Sequence, residues 1–147
     1  MLIPKPGEKP FLIQEEVQDD PWKVLVVCVL LNRTRGEQVF RILWDLFDKY
    51  PTAQSMADAD LDELKEMVKP LGLSTERSLH LKLMSHQWVN DAWDEISDLS
   101  GCGKYAQDSY DLFVDGDLDI DTDDKVLQMY ILWAKKNKKE WKANRGE

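Results

Sequence analysis

The run "DDPWKVLVVCVLLNR", residues 19–33, constrains the fold of this chain more than any other stretch. Asp20 is suited to the N-cap of a helix and Pro21 to its first position, and the residues that follow are apolar on every side of the helix. A helix that is hydrophobic all round belongs in the interior of a protein. The run therefore predicts a central buried helix around which the rest of the chain packs.

Five further stretches are predicted to be helical from their apolar spacing, their caps and their end signals. The first is expected to stop before Pro51 and the second at Pro70. Gly72 is expected to cap a helix C-terminus, with Ser74 or Thr75 as the N-cap of the next helix. The five stretches are residues 39–47, 58–70, 71–91, 104–113 and 123–141.

No stretch alternates apolar and polar residues for long enough to form a strand, so the chain is predicted to be all-α. Residues 1–18 contain three prolines and a glycine and are expected to form an extended N-terminal arm, and residues 52–58 a short turn. Residues 19–147 show no repeat and no linker. They are therefore expected to form one compact helical domain on which the arm packs.

The composition is that of a single globular domain. A chain of 147 residues can bury about 70% of the surface that it exposes when unfolded. Its two cysteines, Cys28 and Cys102, are too few for a disulfide framework, a zinc site or a four-cysteine iron–sulfur cluster. No signal-peptide pattern is present, and the apolar run is too short to span a bilayer. We therefore expect a soluble intracellular protein that does not bind membranes.

The formal charge of -9 is unevenly distributed. Residues 108–124 contain eight Asp and no basic residue, whereas residues 125–147 contain seven Lys or Arg and two Glu. An acidic balance disfavours indiscriminate binding to nucleic acids, which depends on releasing counterions from phosphates. Because the charges are separated along the chain, they count only weakly against DNA as a partner.

The stretch "LSGCGKY", residues 99–105, places a Gly-x-Gly pair between two predicted helices. Gly101 and Gly103 allow a tight turn, and the first amides of the following helix have no partners within the helix. Such amides, with Lys104 beside them, can hold one phosphate group. The stretch fits a plain turn and a helix-hairpin-helix, which grips the DNA backbone without reading its sequence, about equally well.

A loop rich in aspartate follows that hairpin. A calcium loop of the EF-hand type started at Asp115 would need Gly and Glu where the chain has Ile120 and Val126, so no metal is expected there. Most of these aspartates are expected to be solvated, with one of them capping a helix. The sharper hypothesis is that Asp123 or Asp124 faces a substrate, because a helix N-terminus favours the ionised carboxylate.

Other reaction classes find little support in the sequence. His80 and His86 lie on different sides of a predicted helix, and neither has a Cys or a second His at ligand spacing, so both are expected to be surface or interface residues. The Gly-x-Ser-x-Gly motif, the Walker loop and a His–Cys nucleophile pair are absent from the sequence. Covalent hydrolase chemistry and nucleoside-triphosphate chemistry are therefore set aside.

Several motifs taken in order resemble the helix-hairpin-helix (HhH-GPD) DNA glycosylase superfamily. They are "DPWKVLVVCVLLNRT", "LFDKYP", "VKPLGL", "LSGCGKYAQDSY" and "DDKVLQMYILW", and the resemblance extends over residues 10–135. It is strongest to the thymine and uracil mismatch glycosylase domains that accompany methyl-CpG-binding domains. The resemblance implies the helix-hairpin-helix glycosylase fold, and the cysteines that hold the iron–sulfur cluster of endonuclease III relatives are missing here.

The same resemblance places Asp124 at the position of the family's catalytic aspartate. Leu127, Tyr130 and Trp133 match the pattern downstream of it on the last helix. The preceding loop is one residue shorter than in the family, and its "IDTD" imitates the "VDTH" of endonuclease III relatives, which would nominate Asp121. The downstream register fits Asp124 better, so Asp124 is the preferred catalytic residue.

The resemblance assigns further residues to DNA contacts. Gln14 and Tyr105 match residues of the base pocket, and Gln14 is expected to hydrogen-bond the flipped pyrimidine. Arg33 matches the residue that fills the hole left by the flipped nucleotide, and Leu73 matches the wedge beside it. The phosphate-binding hairpin consists of Gly101, Gly103 and Lys104.

The function implied is that of a monofunctional base excision repair glycosylase. It flips thymine or uracil paired with guanine out of the duplex and hydrolyses the N-glycosidic bond, and flipping costs least for a mismatched base. Tyr105 stands where bifunctional relatives carry their Schiff-base lysine, so an intact abasic strand is expected. The resemblance implies a monomer without a cofactor whose partner is double-stranded DNA with a mismatched or deaminated base. It is expected in the cytoplasm or nucleoid of a prokaryotic or viral system, or in a eukaryotic nucleus.

Three alternatives stay open from the sequence. The first is a non-catalytic helix-hairpin-helix module that binds DNA or a repair protein. The second is a glycosylase of the same fold that acts on another damaged base, and the third is an acidic protein-interaction domain. Asp121 or Asp123 also stays open as the catalytic carboxylate.

Overall fold

The computed structural model describes residues 4–5 and 7–147, and over these residues it contains helices and no strand. The prediction of an all-α chain is confirmed. Two short 3-10 helices, Lys69–Leu71 and Ile96–Asp98, lie between the α-helices. The α-helices are α1 (Ile13–Glu16), α2 (Pro21–Leu31), α3 (Gly36–Lys49), α4 (Ala53–Ala57), α5 (Leu61–Val68), α6 (Ser74–Val89), α7 (Lys104–Phe113), α8 (Lys125–Lys136) and α9 (Lys138–Asn144).

Helix α2 forms the centre of the larger hydrophobic core, as its sequence predicts. The Asp20 side chain accepts hydrogen bonds from the backbone amides of Trp22 and Lys23 at the start of this helix. Every side chain from Val24 to Leu30 is no more than 4% exposed. Helices α1, α3, α6 and α7 pack around it.

A second, smaller core lies between the end of α7, helices α8 and α9, and the N-terminal arm. Phe113, Tyr130 and Trp133 pack together in it, with neighbouring ring centroids 5.0 and 5.6 Å apart. Tyr105, on the first turn of α7, contacts both cores. None of the helices in the described part of the chain is long and apolar enough to cross a membrane.

The N-terminal arm is less extended than the sequence suggests. Residues 13–16 form the short helix α1, because Ile13 and Gln14 are buried against the body of the domain. The Glu15 carboxylate accepts a short hydrogen bond from the Tyr130 hydroxyl and forms an ion pair with Lys9. Residues 1–3 and 6 of the predicted arm lie outside the described residues.

Three local predictions about helix ends and turns are wrong. The expected turn at residues 52–58 contains helix α4, whose first amides are capped by the Thr52 hydroxyl. The predicted last helix is divided at Asn137, whose backbone leaves the helical region at φ -128° and ψ 45°. Helix α6 has Leu73 at its N-cap, in a left-handed conformation, where Ser74 or Thr75 was expected.

We predict that the central helix carries much of the stability of the domain. Leu25→Ala removes a fully buried side chain and should lower the free energy of unfolding by about 2–5 kcal/mol, since it leaves a cavity. The matched control is Leu132→Ala, at a side chain that is 61% exposed, which should change it by about 0.5 kcal/mol or less. Urea unfolding followed by circular dichroism measures both. Equal effects of the two substitutions would contradict the central role of α2.

Candidate functional site

Two adjoining cavities lie where the end of α2, the glycine hairpin and the start of α8 meet. Their volumes are about 570 Å³ and about 150 Å³, and Leu31, Tyr105 and Asp124 line both. Gln14 lines the smaller cavity, and Leu73 lines neither. The other predicted site residues all line the larger cavity: Arg33, Gly101, Gly103, Lys104, Tyr105 and Asp124.

The glycine hairpin is held tightly against α6. Gly101 has φ +77°, and a Cβ atom there would lie 2.9 Å from the Cβ of His80. Both the left-handed backbone and the close approach therefore require glycine at this position. Gly103 is the N-cap of α7, so the first amides of α7 lack partners within the helix and lie at the edge of the larger cavity.

Lys104 is less free than the sequence suggests. Its ammonium group donates to Asp108 Oδ2 at 2.9 Å and to the carbonyl oxygen of Asp121 at 2.6 Å. The hydrogen bond to Asp108 raises the pKa of Lys104 above its ordinary value. Lys104 therefore joins the start of α7 to the segment that leads into α8.

The aspartate-rich segment has a simple alternating structure. The odd-numbered residues from Asp115 to Asp123 are exposed, whereas the even-numbered residues between them are partly or fully buried. Leu118 and Ile120 pack against the second core. Exposed and buried residues thus alternate along this segment, so five aspartates face water and Asp124 falls on the protein side.

Asp124 caps α8 and faces both cavities. Its Oδ1 accepts a hydrogen bond from the amide of Leu127 at 2.9 Å, and its own amide donates to the Thr122 hydroxyl at 3.2 Å. Oδ1 is thus held at the start of α8, and Asp124 lines both cavities. Asp121 and Asp123 line neither cavity.

Gln14 lies in a buried polar network. Its Nε2 donates to the hydroxyl of Tyr105 at 2.7 Å and to that of Ser109 at 3.3 Å. Its Oε1 is buried and has no hydrogen-bond partner among the described residues. Burial, together with the nearby Cys28, raises the pKa of Tyr105, so this phenol stays protonated.

Sequence reasoning missed Ser109. The hydroxyl of Ser109 is fully buried and helps to hold the Gln14 amide. A signal was available, because Ser109 follows Tyr105 by four residues and therefore lies on the same face of α7.

Arg33 and Leu73 lie in irregular backbone at helix ends. Arg33 follows α2 with φ +61°, and Leu73 precedes α6 with φ +47°. Residues with a Cβ atom seldom adopt positive φ. The side chain of Leu73 is 49% exposed, so it is available to a partner even though it lines no cavity.

Side chains that could bind a metal ion are not clustered in the described part of the chain. Among residues 4–5 and 7–147, no group of three or more His, Cys, Asp or Glu side chains is placed to hold a metal ion. His80 is exposed and makes a 2.9 Å hydrogen bond to Ser100, next to the hairpin.

The chain was compared with known protein families and proteins. Residues 26–145 match the family described as "HhH-GPD superfamily base excision DNA repair protein". The chain is 36% identical over 120 residues to "Methyl-CpG-binding domain protein 4-like protein" of Arabidopsis thaliana, covering 81% of this chain and 27% of the relative. It is 35% identical over 94 residues to "Thymine/uracil-DNA glycosylase" of Pyrobaculum aerophilum, covering 59% and 41%. The chain thus spans less than half the length of these curated relatives.

Solved structures show the same architecture. A thermostable thymine-DNA glycosylase superposes with a TM-score of 0.66 at 26% identity, over 73% of this chain and 52% of that one. A trapped endonuclease III–DNA covalent intermediate superposes with a TM-score of 0.62 at 20% identity, over 86% and 70%. The second similarity concerns the fold alone.

We predict that both thiols near the site are unreactive. Burial raises the pKa of Cys28 and of Cys102 to about 12, and only the thiolate is nucleophilic. At pH 8 the folded protein should react with iodoacetamide at least about a hundredfold more slowly than the urea-unfolded chain, whose thiols have a pKa of about 8.5. Mass spectrometry of the time course measures this. Fast labelling of Cys102 in the folded protein would show that the hairpin opens.

Proposed function

Because the chain belongs to the HhH-GPD superfamily of base excision DNA repair proteins, we propose that it is a DNA glycosylase that removes thymine or uracil paired with guanine. One observation above all carries this proposal. The small cavity brings together a carboxylate at a helix N-terminus, Asp124, and a buried amide with an unpaired oxygen, Gln14. Relatives named as thymine/uracil-DNA and thymine-DNA glycosylases support the same substrate class.

The size of the small cavity favours a pyrimidine. Its volume is about 150 Å³, and an apolar protein cavity of about that size accommodates benzene. One six-membered ring therefore fits this cavity. Phe11, Leu31 and Val126 form an apolar part of the lining, which receives the 5-methyl group of thymine.

Gln14 reads the edge of the flipped base. Thymine and uracil share an N3–H donor, and the unpaired Oε1 of Gln14 accepts it. The hydroxyl groups of Tyr105 and Ser109 accept hydrogen bonds from the Nε2 of Gln14 and so fix the orientation of its amide group. A buried acceptor that stays empty costs free energy, so bases without a donor at this edge bind less well.

The larger cavity binds the DNA backbone and the opened base pair. The free amides of α7, beside Gly101 and Gly103, hold a phosphate without reading sequence. Arg33 and Leu73 fill the gap that the flipped nucleotide leaves, as side chains inserted between base steps do. Flipping a base out of the duplex costs a few kcal/mol, and this free-energy cost is smallest for a mismatched base. Selection for damaged sites therefore begins at this step.

Asp124 is the residue that promotes cleavage of the N-glycosidic bond. Positive charge develops on the sugar as the N-glycosidic bond breaks, as in other glycoside hydrolyses. The carboxylate stabilises this charge and orients the attacking water, with Oδ1 held by the amide of Leu127. The water oxygen bonds to the sugar carbon while the Asp124 carboxylate takes up the proton that the water loses, and the base leaves with the electron pair of the broken bond and gains a proton from solvent.

The reaction stops at the abasic strand. A Schiff base needs a neutral lysine amine near the sugar, and Tyr105 occupies the place of that lysine. Lys104 stays protonated, because its hydrogen bond to Asp108 raises its pKa. Its ammonium group is also held by the carbonyl of Asp121.

The active unit is one chain. All proposed site residues come from the same domain, residues 19–147, and from the arm at residues 1–18, which packs on it through Gln14 and Glu15. The protein therefore acts as a monomer on double-stranded DNA with a mismatched or deaminated base, in the nucleoid, cytoplasm or nucleus that contains its substrate.

Asp124→Asn should abolish base excision without destabilising the fold. Asn caps helices about as well as Asp, whereas the loss of the charge should lower the rate at least about a hundredfold. An end-labelled duplex with one G:U or G:T pair is incubated with each protein. Half of each sample is then heated in alkali, and strand breaks are compared between the heated and the untreated halves. The wild type should give a break only after alkali.

The control for this experiment is Asp123→Asn, at an exposed neighbour that lines neither cavity. It should excise the base at the wild-type rate. Full activity of Asp124→Asn would move the catalytic role to another carboxylate. A wild type that binds duplex DNA but excises no base from a panel of lesions would indicate a non-catalytic binding module.

The small cavity, with the unpaired Oε1 of Gln14 beside it, predicts a preference for the pyrimidines thymine and uracil. Duplexes with a single uracil or thymine opposite guanine should be processed, whereas duplexes with adenine opposite 8-oxoguanine or with an alkylated purine should not. Single-turnover assays followed by chromatography of the released base measure this. Release of any purine base would contradict the proposed pocket.

A further inference from the structure

Arg77, on the first turn of α6, joins the two segments that carry Arg33 and Leu73. Its side chain is only 4% exposed. Its Nη1 donates to the carbonyl oxygen of Asn32 at 2.6 Å, and its Nε donates to the carbonyl oxygen of Gly72 at 2.8 Å. One buried guanidinium group thus bridges segments that are about forty residues apart in the chain.

The two carbonyl groups occupy matching positions. The carbonyl of Asn32 belongs to the peptide bond that precedes Arg33, and the carbonyl of Gly72 belongs to the one that precedes Leu73. Both residues that follow have positive φ, at +61° and +47°. Such conformations are unfavourable for residues with a Cβ atom and persist only when the surroundings fix them. Arg77 holds the peptide plane on which each of them depends.

The shape of the arginine side chain suits this bridge. The guanidinium is a rigid planar fork with five donors and no acceptor. It can therefore donate in two directions at once to carbonyl oxygens, and its Nη2 also lies 3.5 Å from the carbonyl oxygen of Leu71. Its positive charge also lies at the C-terminal end of α2, where the helix dipole favours a cation.

Arg33, which follows one of the two bridged carbonyls, lines the larger cavity. Burial lowers the pKa of Arg77, the neighbouring Glu76 raises it, and the nearby guanidinium group of Arg33 lowers it. The bridge thus fixes the backbone of a residue at the edge of the proposed DNA site.

We propose that Arg77 is a positioning residue that holds Arg33 and Leu73 as one rigid unit, so that both side chains enter an opened base pair together. The inference rests on the proposed function for its DNA step. It goes beyond that function by assigning the geometry of insertion to a residue that touches neither the base nor the sugar. Without the bridge, each segment relaxes separately and the two side chains no longer reach the gap in register.

The test compares Arg77→Lys with Arg145→Lys. Lysine keeps the charge but has a single nitrogen in place of the planar fork, so it does not hold both carbonyls in the wild-type geometry. Arg145 is the matched control, because its guanidinium also donates to main-chain carbonyls, those of Phe113 and Val114, but on the second core. Thermal melting first shows that both variants are folded. If Arg77→Lys does not fold, Arg77→Gln replaces it in the same measurements.

The first readout needs no DNA. In a ¹⁵N–¹H correlation spectrum of Arg77→Lys, the amide signals of Arg33 and of Leu73 should both shift or broaden. In Arg145→Lys both should stay at their wild-type positions. A response in only one of the two segments, or in neither, would overturn the proposal whatever the protein does to DNA.

The second readout is base flipping, measured with Asp124→Asn in the background so that no base is excised. A 2-aminopurine next to the mismatched thymine becomes more fluorescent when the thymine leaves the stack. Adding Arg77→Lys should reduce this signal about tenfold or more, while affinity for an undamaged duplex, which depends on phosphate contacts, should stay within about twofold.

A double-substitution cycle completes the test. Leu73→Ala should reduce flipping when Arg77 is present and should add little when Arg77 is already Lys, because the wedge is then misplaced. Additive effects, or full flipping by Arg77→Lys, would overturn the proposal. If the protein with Arg77 intact neither flips nor excises a base, the proposed function fails, and the spectra without DNA still decide whether Arg77 couples the two segments.

Discussion

The complete burial of α2 is the constraint on which the rest of the structure depends. Because the side chains from Val24 to Leu30 have no solvent face, helices α1, α3, α6 and α7 must surround this one. The packing brings the C-terminal end of α2 beside the glycine hairpin and the start of α8. The site is therefore a consequence of the core: residues 31–34 leave the buried helix and immediately line the larger cavity.

The aspartate-rich segment between α7 and α8 is arranged so that most of its charge faces water. The aspartates between α7 and α8 alternate with buried residues, and five of them point into water. Asp124 is the member of that segment placed on the protein side, beside the free amides of α7. Lys104 ties the segment down through the carbonyl of Asp121. The large number of aspartates thus has a structural reason, since the residues of this segment that face water need polar side chains while the residues between them are partly or fully buried.

Much of the fold was predictable and the exceptions have local causes. The cap at Asp20, the buried run that follows and the start of α7 after Gly103 agree with the structure, because each depends on neighbours in sequence. Leu73 was not predicted as an N-cap, because its backbone is left-handed, a conformation that residues with a Cβ atom seldom adopt. The site roles of Gln14, Tyr105, Arg33 and Asp124 stay predictions that rest on resemblance and on the cavities they share.

The sequence by itself determined the helical class, the central helix, the tight glycine turn and the family, since these follow from spacing, capping and ordered motifs along the chain. Only the tertiary structure decided which aspartate faces the cavity, that the Gln14 oxygen is buried without a partner, and that Lys104 is engaged by Asp108. It also joined the segments of Arg33 and Leu73 through one guanidinium group. The physical reason is that hydrogen bonds and burial between distant segments depend on how the helices pack, which local spacing does not specify.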